Sequence, residues 1–490
     1  MVNSRLSVLV SLSLGVACGI FAFAAGAALI ESRLAAILIA MLAGGLVVLL
    51  GLKRPIVALD ATACSRPLAI ISGLVTLLAL VQIARLAVFM VDPSQVAYSS
   101  IPSSRWEIQH SCLSAYFVSA QAASTSPDIY DDALFTMPDD DPNTPRKARM
   151  IGPFKIDVFE YPPPFLLLPR ALMHLTPDFM RLRMLWFGLS GGVFLFALLV
   201  VARFMSPAAG TRALLLSPLV WMSLPMTSTL QKGNVQGMVI AAVILAMALF
   251  EWRRWAAGGA ILAFVTLSKL YPGLLVLYLL VRRQWRALAW TAAFAVVFLV
   301  LTFLDIGWGP YAAFLDRFPA LLGGEAFPAF RNPAAMAINF SIPGLAFKAK
   351  LFGVPGMSFG ASKIVGWIYT SIALAVTVLA GLRNLRRDEK PLVWMAILIL
   401  ATLRSPFLPQ AYAAFPPLWL LTLLAATRAP TAKTLTMVLV AWAALNVYWP
   451  LDWAIDPRLL AVANAVPQAV TVVLAVLVLR PRPEPEAAPA

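Results

Sequence analysis

The sequence predicts an all-α polytopic membrane protein, a bundle of about 12–14 transmembrane helices with one large external loop after the third span. Three observations predict it. The 490-residue chain is 61% hydrophobic and only 12% charged, which is more apolar surface than a soluble protein of this length can bury. Apolar runs of about twenty residues, the length that crosses a bilayer, recur along the chain. The stretch 92–183 interrupts them and holds both histidines and a dense set of acidic residues.

Thirteen apolar runs carry this prediction. The first is too long for the apolar part of a signal peptide, so it is predicted to remain as a span. The run 256–281 has basic clusters on both sides and is either one span or a hairpin that turns at 268–272, where proline disfavours helix for the residue before it. In chain order the runs are 6–30, 34–52, 68–91, 184–204, 212–229, 235–251, 256–281, 286–304, 363–382, 391–404, 411–427, 434–449 and 459–479.

These runs divide the chain into four parts. A three-span segment at 1–91 precedes the external loop at 92–183, and a multi-span core at 184–479 precedes a short tail at 480–490. Within the loop, the stretch 162–175 is too short and too rich in proline to span, so it predicts an interfacial helix. The tail is rich in Pro, Glu and Ala and predicts a disordered cytoplasmic segment.

The net charge of +15 does not indicate a nucleic-acid partner, because the basic residues lie mainly in short connections between alternate spans, as the positive-inside rule expects. This pattern predicts both termini in the cytoplasm and the loops 92–183 and 305–362 outside. The three cysteines form no disulfide framework. Phosphate-binding glycine loops, dinucleotide patterns and zinc-ligand spacings are missing from the sequence, so no cofactor and no metal ligand is predicted.

Carboxylates and an imidazole in the external loop suit general-base chemistry at a membrane surface. Glu107 and His110 are the candidate catalytic residues, and the alternative for both is an ordinary solvated loop. The acidic run 139–141 is predicted to be solvated surface, and His174 an interfacial histidine. Further candidates in the loop are Tyr116, Asp128, Tyr130, Glu160 and Tyr161.

On the predicted topology, polar residues from three other turns reach the same external side. Lysine or arginine deep in an apolar segment is costly and indicates function, so Lys269 and Arg404 are candidate phosphate-binding residues. The alternative for both is that the charge snorkels to the interface. The remaining candidates on these turns are Gln231, Asn234, Tyr271 and Gln410.

Several stretches together resemble glycosyltransferase family 87, the polyprenyl-phosphate-mannose-dependent mannosyltransferases and their bacterial relatives. Two departures stand out: Cys112 lies near the place where the family has an aspartate before the first loop tyrosine, and Gln410 stands near an expected histidine. The matching stretches, between roughly residues 90 and 430, are Tyr116 to Tyr130, Glu160-Tyr161-Pro162-Pro163, Gln231-Lys232-Gly233-Asn234, Ala257 to Pro272, Asn339-Phe340-Ser341 and Ser405-Pro406.

The resemblance implies a GT-C-type fold in a bacterial inner membrane, with the active site facing the periplasm. It implies a polyprenyl-phosphate sugar as donor, with mannose as the sugar of the family, and a lipid or glycan as acceptor. Sites of this kind can work without an obligatory metal, although Asp128, Asp131 and Asp132 leave room for one. Glu107 or His110 would deprotonate the acceptor, and Lys269 and Arg404 would stabilise the leaving phosphate. Tyr271, Gln231 and Asn234 would line the donor pocket.

Three other functions remain open from the sequence. A transporter or flippase of a lipid-linked anion would use the same cations, although the spans contain few acids for ion coupling. A membrane assembly factor would use the loop as a docking surface. A catalytically inactive relative would explain the missing aspartate.

Overall fold

Every one of the thirteen predicted apolar runs is helical in the computed structural model, which describes residues 2–53, 57–138 and 147–480. The acidic run 139–141 and the tail beyond Arg480 lie outside the described residues. Helix makes up 74% of the structure. The protein is therefore an all-α polytopic membrane protein, as predicted.

The first three helices are Val2–Leu29, Arg33–Lys53 and Arg66–Val91, and the external loop follows them. The third helix begins with an N-cap, since the Ser65 side chain accepts a hydrogen bond from the backbone N–H of Leu68. The helices of the loop are Arg105–Gln109, Cys112–Ala122 and Leu167–Leu175, and its strands are His110–Ser111, Met150–Ile151 and Phe154–Ile156.

The core after the loop alternates long spans with broken ones. Its helices up to residue 306 are Phe179–Phe204, Pro207–Leu216, Pro218–Trp221, Leu224–Lys232, Gln236–Glu251, Trp255–Ser268, Leu274–Val281 and Trp285–Ile306. The segment 305–362 holds the helices Gly309–Gly323, Pro333–Ala337 and Leu345–Leu351. The last helices are Phe359–Leu382, Lys390–Thr402, Gln410–Ala413, Phe415–Ala426, Ala432–Leu445 and Pro457–Leu479. Short 3-10 helices lie at Ala61–Ala63, Val96–Tyr98, Asp132–Leu134, Pro163–Leu166, Tyr271–Gly273, Pro328–Arg331 and Arg387–Glu389.

Among the described residues, seven helices are long and apolar enough to cross a bilayer, or eight if one bent pair counts as a span. That pair, Pro207–Trp221 and Leu224–Lys232, meets at 65°. Pro218 and Pro225 break it, because proline lacks the N–H that continues a helix and its ring clashes with the preceding turn. The other predicted runs form shorter helices, most of them buried inside the bundle.

The run 256–281 forms a hairpin. Its arms are Trp255–Ser268 and Leu274–Val281, joined through Lys269, which has an extended backbone, and the 3-10 turn Tyr271–Gly273. Irregular backbone at membrane depth is tolerated where it is buried in protein or lines a cavity. The two residues at the start of the turn, Lys269 and Leu270, do line a cavity.

Packing against the next helix establishes the direction of the arms. A Cβ at Gly259 would lie 2.7 Å from the Cβ of Trp290, and further along both helices the rings of Phe264 and Phe298 are 5.5 Å apart. The first arm and the Trp285–Ile306 helix therefore run parallel, so the second arm must return to the side on which the first began. Both flanking arginine clusters consequently lie on one side.

A small three-stranded sheet organises the external loop. His110–Ser111 pairs in parallel with Phe154–Ile156, in the register His110 to Lys155, and Met150–Ile151 pairs with the same strand in antiparallel. Parallel pairing aligns the carboxyl ends of two strands that lie more than forty residues apart in the sequence. Cys112 and Asp157, which follow these strands, are thereby brought together.

Candidate active site

A cavity of about 1040 Å³ lies between the external loop and the membrane helices. Its wall combines loop residues with residues from the hairpin turn and the later spans. The polar and aromatic residues that line it include Trp106, His110, Cys112, Tyr116, Lys155, Asp157, Glu160, Tyr161, Lys232, Asn234, Gln236, Lys269, Tyr271, Trp367, Arg404, Tyr412 and Tyr448.

At one end of the cavity, three side chains converge on one ring nitrogen of His110. Its Nε2 lies 3.6 Å from Asp157 Oδ2 and 3.7 Å from Cys112 Sγ. Tyr412 Oη lies 3.1 Å from the same nitrogen and 3.2 Å from the sulfur. The Asn234 side-chain amide donates to Cys112 Sγ at 3.3 Å. This end of the cavity therefore gathers nitrogen, sulfur and oxygen atoms around one point.

Burial dominates the electrostatics of this cluster. It raises the pKa of Asp157 to about 6 and that of the Cys112 thiol to about 12. It lowers the pKa of His110 well below its ordinary value, and Lys232 and Lys155 lower it further. The imidazole is accordingly neutral and the thiol protonated near neutral pH.

Glu107 lies apart from the cavity lining, in a buried ion pair with Lys232 at 2.8 Å. Its carboxylate also accepts hydrogen bonds from Tyr448 Oη at 2.6 Å and from Ser228 Oγ at 3.1 Å. Ser104 caps its helix. Three donors therefore occupy this carboxylate, and the geometry favours an anchoring role for it.

Lys269 forms the cationic part of the cavity on the hairpin turn. Its Nζ donates to Gln236 Oε1 at 3.1 Å, and the Tyr271 hydroxyl donates to the same oxygen at 3.0 Å. Nζ also lies 5.2 Å from the centre of the Tyr161 ring. Lys269 has no carboxylate within ion-pair distance among the described residues. Its charge can therefore bind an anion in the cavity.

Arg404 is another cation in the lining. Its Nε donates to Thr370 Oγ1 at 2.5 Å, and its guanidinium lies 5.6 Å from the centre of the Trp367 ring. Hydrogen bonds hold the segment that follows Arg404 in place: the Asn339 side-chain amide donates to the Pro406 carbonyl at 2.9 Å. Ser341 Oγ donates to that carbonyl at 3.0 Å. The Asn-Phe-Ser and Ser-Pro stretches thus hold each other in place.

Aromatic side chains from the loop form another wall. The hydroxyls of Tyr116 and Tyr161 lie 2.9 Å apart, and their rings meet edge to face. Tyr130 is buried behind them and donates to the Tyr161 carbonyl at 2.7 Å. Glu160 lines the cavity beside them. Burial raises the pKa of Glu160 well above its ordinary value, and the nearby Arg317 and Lys269 oppose that shift.

Three more predicted residues lie away from the cavity lining. Gln231 is buried, accepts from the Ser100 N–H at 2.6 Å and donates to the Glu107 carbonyl at 2.7 Å. Gln410 is buried and accepts from the Asn464 amide at 2.6 Å. Asp128 is exposed and caps a turn through the Tyr130 N–H. These contacts stabilise the surroundings of the cavity.

Asp157, Lys232, Tyr412 and Tyr448 are the site residues that sequence reasoning did not select. The parallel pairing of two short strands places Asp157 in the site, and no local sequence pattern predicts that pairing. Lys232 lies inside the Gln-Lys-Gly-Asn stretch, and a buried lysine in an apolar context was the available signal. Tyr412 and Tyr448 lie inside the apolar runs 411–427 and 434–449, where a tyrosine carries no functional signal of its own.

The family model described as Glycosyltransferase family 87 matches residues 159–409, just over half of the chain. The matched region begins beside Glu160 and includes the cavity cations Lys232, Lys269 and Arg404. Cys112 and His110 precede it. Comparison with the curated proteins and with the solved structures gave no match.

Proposed function

The chain belongs to glycosyltransferase family 87, and on that premise we propose that it moves a hexose, mannose in the first instance, from a polyprenyl phosphate to a hydroxyl of a lipid or glycan. The proposed site of transfer is the external face of a bacterial inner membrane. The glycosyltransferase activity follows from the family. The donor, the acceptor and the orientation are the parts we propose.

The observation that carries the proposal is a single cavity lined by the cations Lys269 and Arg404, by the carboxylate of Asp157 with the imidazole of His110, and by exposed apolar side chains. Trp367 and Leu374 line the cavity from the Phe359–Leu382 span and are 62% and 42% exposed. Leu270 on the hairpin turn is 47% exposed. Exposed apolar side chains on a span face lipid, so a polyprenyl chain can stay in the bilayer while its phosphate reaches Lys269 and Arg404.

In the proposed reaction, the acceptor oxygen attacks the anomeric carbon of the donor sugar as the bond from that carbon to the phosphate oxygen breaks. The acceptor proton passes to Asp157, which faces the cavity beside His110. Lys269 and Arg404 stabilise the charge that develops on the leaving phosphate, which is often the largest single catalytic contribution. The base moves from Glu107 to Asp157 because three donors already occupy the Glu107 carboxylate.

The test incubates membranes containing the protein with radiolabelled polyprenyl-phosphate mannose and a lipid and glycan extract. Wild type is expected to transfer label to a new product. Asp157→Asn should lower the rate by about 10²–10⁴-fold, the usual contribution of a general base. Lys269→Ala should lower it by about 10–100-fold, the equivalent of one charge-assisted hydrogen bond.

The matched control is Lys363→Ala, which removes a half-exposed lysine that pairs with Glu325 at the surface. It should transfer label at the wild-type rate. Folded wild-type protein that transfers no sugar from mannosyl or any other prenyl-phosphate donor would refute the proposal and favour transport of the lipid-linked anion. Normal transfer by Asp157→Asn with loss in His110→Ala would move the base to the imidazole.

A further inference from the structure

We propose that His110, Cys112 and Asp157 form a mononuclear transition-metal site, most suited to Zn²⁺, in the wall of the cavity. The ligand atoms would be His110 Nε2, Cys112 Sγ and an Asp157 carboxylate oxygen. All three atoms lie within 4.8 Å of one another. The site goes beyond the proposed sugar transfer, because metal binding can be measured without any donor or acceptor.

The way the three atoms meet favours a shared cation over a proton relay. In a nucleophilic triad, the thiol and the carboxylate contact opposite nitrogens of the imidazole ring, so that one can pass a proton to the other. Here Cys112 Sγ and Asp157 Oδ2 both approach Nε2. Three lone-pair donors of different chemistry within 4.8 Å of one another are the arrangement of a metal site.

The distances fit a tetrahedral ion. Zinc lies about 2.3 Å from sulfur and about 2.0–2.2 Å from nitrogen or oxygen, so tetrahedral ligand atoms lie roughly 3.3–3.6 Å apart. The observed separations are 3.7 Å for sulfur to nitrogen and 3.6 Å for nitrogen to oxygen. The sulfur and the carboxylate oxygen are within 4.8 Å of each other, so these two side chains would draw together around a bound ion.

Neighbouring side chains already orient the ligands, as the surroundings of a metal site do. The Trp106 ring stacks on the His110 ring with centres 4.7 Å apart. The Asn234 amide donates to Cys112 Sγ. His110 begins the strand His110–Ser111 and Cys112 begins the helix Cys112–Ala122. Regular elements of this kind hold ligands more rigidly than loops do.

The donor set selects the class of metal. A thiolate and an imidazole are ligands for Zn²⁺, Co²⁺ and related ions, whereas Mg²⁺ and Ca²⁺ require oxygen ligands. With one thiolate and one carboxylate, a divalent ion gives a neutral site, which suits a buried position beside Lys232 and Lys155.

Three protein ligands leave one position open, as in catalytic zinc sites. Asp157 faces the cavity with its side chain 36% exposed, so the open position lies on the cavity side. If the proposed sugar transfer holds, an acceptor hydroxyl would bind there and would lose its proton more readily to the second Asp157 carboxylate oxygen, which is not a ligand. That role rests on the proposed function, but the metal site does not.

The experiment uses the full chain, purified in detergent without a histidine tag and treated with a chelator. Titration with CoCl₂ should give one bound ion per chain and a near-ultraviolet sulfur-to-cobalt charge-transfer band, and ZnCl₂ should abolish the band by displacement. MgCl₂ in excess should leave it unchanged. Cys112→Ser should remove the band, and His110→Ala and Asp157→Asn should weaken binding about a hundredfold.

Cys64→Ser is the matched control, because Cys64 is a second free cysteine outside the cavity, and it should keep the wild-type band. Wild type that takes up no Co²⁺, or a band that survives in Cys112→Ser, would overturn the metal site. If a variant fails to fold, the wild-type titration alone still decides. Metal uptake without sugar transfer, or transfer without metal, separates this site from the proposed reaction.

Discussion

The buried pair of Glu107 and Lys232 fixes the external loop to the membrane core. Both side chains are almost fully buried, with 0% and 2% exposed. Because the carboxylate also accepts from Tyr448 and Ser228, one residue ties together three parts of the chain. Breaking such a pair by removing one partner leaves an unpaired charge in a low-dielectric site.

We expect Glu107→Gln to lower the free energy of unfolding by about 3–5 kcal/mol, the usual effect of orphaning a buried charge. The double variant Glu107→Gln with Lys232→Met should recover part of that loss. Thermal unfolding of the detergent-solubilised protein measures both. Glu325→Gln, which breaks a half-exposed pair with Lys363, should change stability by less than about 1 kcal/mol. A Glu107→Gln protein as stable as wild type but inactive in transfer would instead support Glu107 as the base.

Glu160 should make stability depend on pH. Burial raises its pKa above that of the unfolded chain, Asp157 raises it further, and Arg317 and Lys269 oppose the shift. A carboxyl group with a raised folded-state pKa binds its proton more tightly in the folded protein. Its contribution to stability is therefore present at low pH and is lost as pH rises through the folded-state pKa.

Melting curves over a pH series test this expectation. The wild-type melting temperature should fall as pH rises above the ordinary glutamate range, and Glu160→Gln should lack that part of the fall. Glu325→Gln should keep the wild-type slope. Identical slopes for Glu160→Gln and wild type would show that Glu160 does not titrate in this way.

Sequence reasoning at this scale recovered the residues whose chemistry is unusual for their surroundings. Lys269 and Arg404 stood out as cations in apolar segments and His110 as an imidazole among the loop carboxylates, and all three line the cavity. Glu107 was chosen among the loop acids and Asp157 was not, because the burial and hydrogen bonding that distinguish them arise only after the loop has folded.

At the scale of elements, the hairpin shows what periodicity leaves open. Length and flanking charge predicted either one span or two short helices, and side-chain packing against the following helix decided for two. Gly259 is central to that packing, since a Cβ there would lie 2.8 Å from the Trp290 carbonyl carbon and 2.9 Å from the Thr291 backbone nitrogen. These are backbone atoms that cannot move without moving the helix.

We expect Gly259→Val to destabilise the protein by about 1–3 kcal/mol through overpacking and to lower sugar transfer, because the same arm carries Lys269 at its end. Gly192→Val is the control: Gly192 is also inside a helix, but its Cβ would meet nothing within 4 Å. It should melt and transfer like wild type. Equal melting temperatures for the two variants would mean that the two helices separate readily.

Element length explains why the helices could be predicted from the sequence and the small sheet could not. A long apolar run predicts a helix by its length and composition alone, and all thirteen runs are helical. The strands are two or three residues long, too short for an alternating pattern to be visible. Their register depends on contacts across more than forty residues, and no single segment encodes it.

For the whole molecule, the parallel packing of the first hairpin arm and the following helix determines which loops lie on the same side of the membrane. Both arginine clusters that flank the hairpin lie on one side, and the positive-inside rule assigns that side to the cytoplasm. The external loop should then face the periplasm.

Cysteine labelling in intact cells tests that orientation. A cysteine placed at Asp128, which is exposed in the loop, should react with a membrane-impermeant maleimide from outside. One placed at Arg286, which is exposed after the hairpin, should react only after the membrane is permeabilised. The unmodified protein gives the background from its own three cysteines. The reverse pattern would place the cavity on the cytoplasmic face.

The lipid-facing mouth formed by Trp367, Leu374 and Leu270 has a kinetic consequence. A substrate that enters sideways from the bilayer is encountered at its mole fraction among the lipids, and its bulk molarity becomes irrelevant. Adding inert detergent or phospholipid at a fixed total amount of donor should therefore slow the reaction by surface dilution. A water-soluble sugar donor that entered from the external side would show no such dependence.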